Sequence, residues 1–198
     1  MPSYQSVFKD TTPAIVYSSE WRAVSSEDDP LLDQYGQATA TFSNTTGATM
    51  TLRFFGNNVG IYGSKRPDHG LFNVTIDGNT YPTLNGSSPS PLFNQTLFNT
   101  TLDNGPHTMV LTNIGNTTLD VDYLALNAFV GTPDETLGSD TFQDDHPNFQ
   151  YTGNWVATQR PGTYSGSSAH ITRDPEATVR HTFQGITYSL DRVSFFKR

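Results

Sequence analysis

The sequence predicts an all-β protein, an antiparallel β-sandwich, and three observations support this prediction. Apolar and polar residues alternate in most of the apolar segments, which is the period of a half-buried strand. Almost no segment shows the 3.6-residue period of an amphipathic helix. Gly, Asn and Pro fill the intervening segments, where they supply the backbone angles of turns.

The candidate strands follow one another from residue 49 onward. Phe72, Val74 and Ile76 face one side, so Asn73 points to solvent, and Asp77-Gly78 is a strong signal for a two-residue hairpin. The same alternation predicts inward-facing side chains before this hairpin, at Met50, Leu52, Phe54, Val59 and Ile61. After the hairpin we predict a further pair of strands, at 109–111 and 121–126.

Composition excludes several classes of protein. The 198 residues carry 11 Lys and Arg against 19 Asp and Glu, a net charge of −8, which disfavours binding to nucleic acid and to anionic membranes. No apolar run is long enough to span a membrane. The absence of cysteine excludes a disulfide framework and a thiolate nucleophile.

Six N-glycosylation sequons predict a secreted, glycosylated protein. They are roughly twice as many as chance would give in a chain rich in Thr and Asn. All six lie between residues 44 and 116: Asn44, Asn73, Asn85, Asn94, Asn99 and Asn116.

An internal repeat divides the chain. At an offset of 134 residues, 8–23 matches 142–157 at six positions, among them Asp10 with Asp144, Tyr17 with Tyr151 and Trp21 with Trp155. Farther on the offset becomes 129, and the second copy then ends early. We therefore predict a β-sandwich over 1–130, a linker over 131–139 and an incomplete second β repeat over 140–198.

The order of motifs in the first copy resembles the galactose-binding-like jelly-roll β-sandwich. The resemblance rests on Tyr17 and Trp21, Tyr35, the Ile61-Tyr62-Gly63 triplet, the Asp77-Gly78 turn, Gly105-Pro106-His107-Thr108 and Val121-Asp122-Tyr123. Such modules occur beside bacterial glycoside hydrolases, and in tandem in secreted or membrane-anchored proteins of basidiomycete fungi. The resemblance implies a jelly-roll fold that recognises carbohydrate.

The sequence contains no common catalytic signature. HExxH, GxSxG, Walker A, GxGxxG and EF-hand motifs are missing, and the five histidines are scattered. A glycosidase needs two carboxylates about 5 to 10 Å apart. Asp77 belongs to a turn, and Asp120 and Asp122 share one short segment, so the sequence favours a protein that is not an enzyme.

Residues 63–70 form the candidate ligand site. Arg66, Asp68 and His69 offer planar hydrogen-bonding groups for sugar hydroxyls. Aromatic side chains for the apolar side of a sugar ring would come from Tyr35, Tyr62 or Trp21. Two alternatives stay open. In the first, residues 63–70 form an Asp-capped turn with solvated charges. In the second, Trp21 and Trp155 are packing residues in the core or at its rim.

Acidic residues raise the question of a structural calcium ion, which jelly-roll modules often carry. The candidate ligands form two groups, Glu27-Asp28-Asp29 and the set Asp134, Glu135, Asp140, Asp144 and Asp145. Neither group has a known calcium-loop spacing, so solvated surface charge is the favoured interpretation and no cofactor is predicted.

We therefore predict a secreted, non-catalytic carbohydrate-binding protein of the lectin type. The alternatives are a structural or adhesive extracellular domain without a sugar ligand and, less favoured, a glycoside hydrolase. Residues 140–198 have too few strands to enclose a core, and sheet edges need partners. We expect this region, which ends in Val193-Ser194-Phe195-Phe196, to pair with the first copy or with a second chain in a homodimer.

Overall fold

The fold is all-β, as the sequence predicted. A computed structural model describes residues 1–136 and 141–182, and these residues form strands that pair antiparallel, with short 3₁₀ turns at Leu32–Gln34, Gly36–Ala38 and Ser165–Ser167. The chain divides into two compact units, Met1–Glu135 and Thr136–Arg198.

The first unit contains eleven strands in two sheets. The strands are β1 Ser3–Lys9, β2 Ile15–Tyr17, β3 Arg22–Ala23, β4 Thr41–Ser43, β5 Thr49–Lys65, β6 Leu71–Ile76, β7 Asn79–Thr80, β8 Leu84–Asn85, β9 Leu92–Asn113, β10 Leu119–Val121 and β11 Tyr123–Phe129. The larger sheet has the order β1-β11-β5-β9-β6-β7, with β2 paired to β5 and β8 to β6; the smaller has the order β10-β4-β3. The long strands β5 and β9 form the centre of the larger sheet.

One hydrophobic core draws on both sheets and contains the side chains that alternation placed inward. Met50, Val59, Ile61 and Val74 are fully buried in it. Leu119 and Val121 of the smaller sheet pack in the same cluster. Burial of such side chains stabilises a fold by about 1.5 to 3 kcal/mol each, which makes this core the main source of stability in the unit.

The Asp77-Gly78 turn forms the predicted hairpin between β6 and β7. Both residues have positive φ, 50° and 81°, as a two-residue type I′ turn requires. The Asp77 carboxylate accepts a hydrogen bond from the Thr108 amide at 2.8 Å and contacts His107 Nδ1 at 2.6 Å. His107 therefore fixes the hairpin to β9.

The described part of the second unit, residues 141–182, contains two two-stranded sheets whose pairing resembles that of the first unit. Strands β12 Phe149–Thr152 and β15 Thr178–His181 pair, as do β13 Trp155–Gln159 and β14 Ser168–Thr172. Tyr17 Oη donates to the Asp10 carbonyl at 3.0 Å, and Tyr151 Oη donates to the Asp144 carbonyl at 2.9 Å. The two offsets found in the sequence relate these strand pairs to β2 with β5 and to β3 with β4.

Completion of the second repeat and its pairing in a homodimer stay predictions. Phe183 and the closing residues 193–196 lie outside the residues that the structure describes. Within the described part, Val156, Ile171 and Val179 are exposed, at 62%, 49% and 47%. The position of Val179 corresponds to that of the fully buried Met50 in the first unit.

Candidate functional site

The segment 63–70 leaves β5 and is held in place by backbone hydrogen bonds. Arg66 N donates to the Gly86 carbonyl at 3.1 Å, and Thr118 N donates to the Asp68 carbonyl at 3.0 Å. A Cβ atom on Gly63 would lie 2.5 Å from Asp120 Oδ1, so only glycine lets β5 approach that carboxylate so closely. The segment is therefore an ordered connection rather than a free loop.

Asp120 is the centre of a buried polar cluster, which we call the Asp120 cluster: Tyr35, Ser64, His69 and Asp120. The Asp120 side chain is 2% exposed. It accepts hydrogen bonds from the Ser64 amide at 2.7 Å, the Ser64 hydroxyl at 2.5 Å and the Tyr35 hydroxyl at 2.7 Å. It also contacts His69 Nε2 at 2.8 Å. A buried carboxylate with this many donors is fully satisfied.

His69 lies between two carboxylates. Its Nε2 faces Asp120, and its Nδ1 lies 3.1 Å from Asp68 Oδ1. Burial alone would lower the pKa of His69, but the hydrogen bonds and charges of Asp120 and then of Asp68 outweigh it, so its pKa is raised. Both ring nitrogens donate when the imidazole is protonated, which suits this pair of acceptors.

Arg66 lies at the outer side of the cluster. Its guanidinium forms an ion pair with Asp29 and lies over the ring of Phe93, with Cζ 5.6 Å from the ring centroid. Tyr35 contacts the same ring edge-on at a centroid distance of 5.0 Å. The Arg66 side chain is 18% exposed and that of Asp68 is 61% exposed. Phe93, Arg66 and Asp68 are thus the accessible groups.

The structure brings together four of the six predicted ligand residues and separates two. Tyr35 and His69 are buried in the Asp120 cluster, whereas Arg66 and Asp68 reach the surface beside it. Trp21 is in the hydrophobic core, packed on Tyr17 at 5.2 Å, as the packing alternative expected. Tyr62 stacks on Tyr123 on the outward face of the larger sheet.

Residues 63–70 contain a turn in which Asp68 is exposed, but the charges of this segment are not all solvated. His69 is 4% exposed, and Arg66 is paired with Asp29. Sequence reasoning also missed Ser64 and Phe93, and it considered Asp29 only as a calcium ligand. No local pattern identifies these residues, because they come from distant parts of the chain.

Ser64, His69 and Asp68 have the contacts of a hydrolytic triad, but the arrangement is structural. Ser64 Oγ lies 3.2 Å from His69 Nε2. However, Ser64 is 0% exposed, and its hydroxyl donates to Asp120. A nucleophile must reach its substrate, and this hydroxyl has neither access to solvent nor a free base.

Two of the candidate calcium ligands, Asp28 and Asp29, bind protein donors. Asp28 accepts hydrogen bonds from Ser25 and from Arg22, and Asp29 accepts one from the Leu31 amide beside its ion pair with Arg66. Their oxygen atoms are therefore engaged with protein donors. In residues 1–136 and 141–182 no group of three acidic, His or Cys side chains is arranged to hold a metal ion, and Asp140 lies outside these ranges.

All six sequon asparagines lie in the first unit. Asn73 is half-buried on β6, where its side-chain oxygen accepts a hydrogen bond from Thr83 at 2.9 Å. The other five are exposed: Asn44, Asn85, Asn94, Asn99 and Asn116. Glycosylation at these positions stays a prediction.

The raised pKa of His69 predicts that stability falls as pH rises. The contribution is complete below the pKa of an unfolded histidine, about 6.5, and is lost as pH rises through the higher pKa of the folded state. We expect the melting temperature to fall by a few degrees between pH 6 and pH 8. The measurement is thermal unfolding across this range.

The control for this prediction is His107, whose pKa is also raised, first by its hydrogen bond to Asp77 and then by the Asp103 carbonyl. His107 lies at the surface hairpin, whereas His69 is buried between two carboxylates. His69→Gln should therefore remove more of the pH dependence than His107→Gln. An unchanged slope in His69→Gln would show that His69 is neutral in the folded protein.

No protein-family model matches the chain, and no curated protein sequence is significantly similar to it. Several solved structures share some similarity with the chain. The Agl-KA catalytic domain is 14% identical with a TM-score of 0.44, and the match covers 67% of this chain and 30% of that one. The chain thus corresponds to less than a third of that domain.

Two carbohydrate-binding modules match over almost their whole length. The CBM36-1 domain of a multidomain xylanase from the hindgut metagenome of Trinervitermes trinervoides is 16% identical, with a TM-score of 0.42 and coverage of 65% and 100%. A family 35 carbohydrate-binding module from Clostridium thermocellum is 12% identical, with a TM-score of 0.44 and coverage of 62% and 96%. Our assignment of the fold rests on the strands and the core described above.

Within the described ranges, no helix has the length and apolar character needed to cross a membrane.

Proposed function

We propose that this chain is a secreted, non-catalytic carbohydrate-binding protein whose site is the surface formed by Arg66, Asp68 and Phe93. The observation that carries the proposal is the half-buried Phe93 ring beside a guanidinium and an exposed carboxylate. Sugars combine an apolar ring face with hydroxyl groups in fixed directions. An aromatic ring and planar polar groups complement these two features.

The Asp120 cluster holds this surface in place. Tyr35 supports the edge of the Phe93 ring, and His69 contacts Asp68. Asp29 fixes the Arg66 guanidinium. Because these supports are buried and paired, the binding groups lose little conformational freedom when a ligand binds. The chemistry is reversible hydrogen bonding and ring contact, without a covalent step.

Secretion is part of the same proposal. Six sequons and five exposed sequon asparagines support it. A protein outside the cell meets the glycans that the site would bind.

Arg66→Ala is expected to weaken sugar binding at least tenfold, because it removes the guanidinium donors next to Phe93. Binding would be measured first on a glycan array and then by titration calorimetry with the sugar that binds best. Arg53→Ala, at an exposed arginine elsewhere on β5, is the matched control and should bind normally.

Arg66→Ala also removes the ion pair with Asp29, which contributes to the structure. Asp68→Asn is therefore a second variant, at a side chain that is mostly exposed. It should weaken binding with a melting temperature close to that of the parent. Replacing His69 together with Arg66 and Asp68 is unsuitable, since the buried His69 contributes to stability. Normal binding by both single variants would exclude this site, and a parent protein that binds no glycan would favour the adhesive alternative.

A further inference from the structure

Two tyrosines form a stacked pair on the outward face of the larger sheet, and we call them the tyrosine pair. Tyr123 of β11 is in register with Tyr62 of β5. Their ring centroids are 4.5 Å apart, and the ring planes differ by 6°. Both side chains are half-buried, so part of each ring stays accessible. The site proposed for sugar binding does not use this pair.

The Tyr62 ring lies beside Asn99 of β9. Tyr123 stacks on one face of this ring, and its hydroxyl donates to Asn94 Oδ1 of β9 at 2.7 Å. Asn99 of β9 is in register with Gly60 of β5. A Cβ atom on Gly60 would lie 2.8 Å from Tyr62 Cε2 and 2.9 Å from Asn99 Nδ2. The Asn99 amide nitrogen and the Tyr62 ring therefore adjoin each other above Gly60.

Asn99 has the chemistry of a modification site. It begins the sequon Asn99-Thr100-Thr101, and both Asn99 and Thr101 are exposed. Its side chain makes only long contacts to Asn58, at 3.3 and 3.5 Å. Attachment of a sugar to Nδ2 would therefore disturb no strong hydrogen bond.

We propose that Asn99 carries an N-linked glycan whose first N-acetylglucosamine packs its apolar face on the Tyr62 ring. The donor is a lipid-linked oligosaccharide pyrophosphate of the secretory pathway. Asn99 Nδ2 forms a bond to C1 of the sugar, the bond from C1 to the pyrophosphate oxygen breaks, and Nδ2 loses one proton. The chain itself catalyses none of this; it supplies the acceptor and the aromatic surface.

The packing stabilises the folded chain. A sugar ring on Tyr62 covers apolar ring surface that is otherwise exposed to water. The sugar is already tethered, so the contact costs little translational entropy. Gly60 lets the Tyr62 ring and the Asn99 amide lie this close to the strand, because any side chain there would displace one of them.

The test compares Asn99→Gln with Asn44→Gln, which removes an exposed sequon in the turn after β4. The proteins are secreted from a eukaryotic host, and their glycans are trimmed to the first N-acetylglucosamine. Mass spectrometry should find Asn99 occupied. Asn99→Gln should melt about 3 °C below the parent, and Asn44→Gln within 1 °C of it.

The same three proteins made without glycans in bacteria should melt within about 1 °C of one another. The lower melting temperature of glycosylated Asn99→Gln would then be due to the missing sugar and not to the missing asparagine. In the trimmed parent protein, NMR signals of the sugar on Asn99 should be shifted upfield by the Tyr62 ring, and the shift should vanish in Tyr62→Ala. An unoccupied Asn99, equal melting of the two glutamine variants, or ring-current shifts that persist in Tyr62→Ala would each overturn the proposal.

Discussion

Replacing Asp120 with Ala is expected to destabilise the first unit by about 3 to 5 kcal/mol, the largest effect of any single change considered. The substitution leaves the Ser64 amide, the Tyr35 hydroxyl and His69 without their shared buried acceptor. For a unit of this size the melting temperature should fall by about 10 °C. Urea unfolding followed by tryptophan fluorescence would measure the loss.

Asp33→Ala is the control for this change. Asp33 is exposed in a 3₁₀ turn, and within residues 1–136 and 141–182 its side chain accepts one hydrogen bond, from its neighbour Gln34 at 3.3 Å. Its removal should change the free energy of unfolding by less than about 0.5 kcal/mol. A small effect of Asp120→Ala, comparable to that of Asp33→Ala, would mean that the Asp120 cluster contributes little to stability.

Lys9→Met should destabilise the first unit by about 3 kcal/mol, the second largest effect. Lys9 Nζ forms an ion pair with Asp122, donates to the Gly36 carbonyl at 2.7 Å and lies 3.6 Å from Asp10 Oδ1. Asp10 and Asp122 are 1% and 2% exposed. Without the ammonium, two buried carboxylates remain near each other with no cation between them.

A double variant separates charge from packing. Lys9→Met combined with Asp122→Asn removes both charges of the pair, so its cost should be smaller than the sum of the two single costs. The comparison uses free energies of unfolding from urea titrations. Strictly additive costs would show that Lys9 stabilises the unit through its aliphatic chain rather than through Asp122.

Alternation predicted the inward-facing strand residues because each signal is local. Met50, Leu52 and Phe54 occupy one face of β5, because successive side chains of a strand point to opposite faces of the sheet. The Asp77-Gly78 turn was equally predictable, since few sequences tolerate positive φ at two successive positions. Local periodicity therefore accounts for the main features of the sandwich.

The candidate site was only partly predictable, because its partners are far apart in the chain. The density of polar residues identified Arg66, Asp68 and His69. Nothing local showed that Asp29 pairs with Arg66 or that Asp120 lies behind His69, at sequence separations of 37 and 51 residues. Charged residues in a short segment suggest a solvated turn, but only tertiary contacts decide whether they are buried.

NMR of the ¹⁵N-labelled protein during titration with the best-binding glycan tests the proposed site most directly. The proposal predicts that the backbone amides of Arg66, Asp68 and Phe93 shift together and saturate with a single dissociation constant. Amides of β6 and β7, at the Asp77-Gly78 hairpin, should stay unchanged. Saturable shifts confined to another part of the sandwich, or no shifts with any glycan, would contradict the proposal.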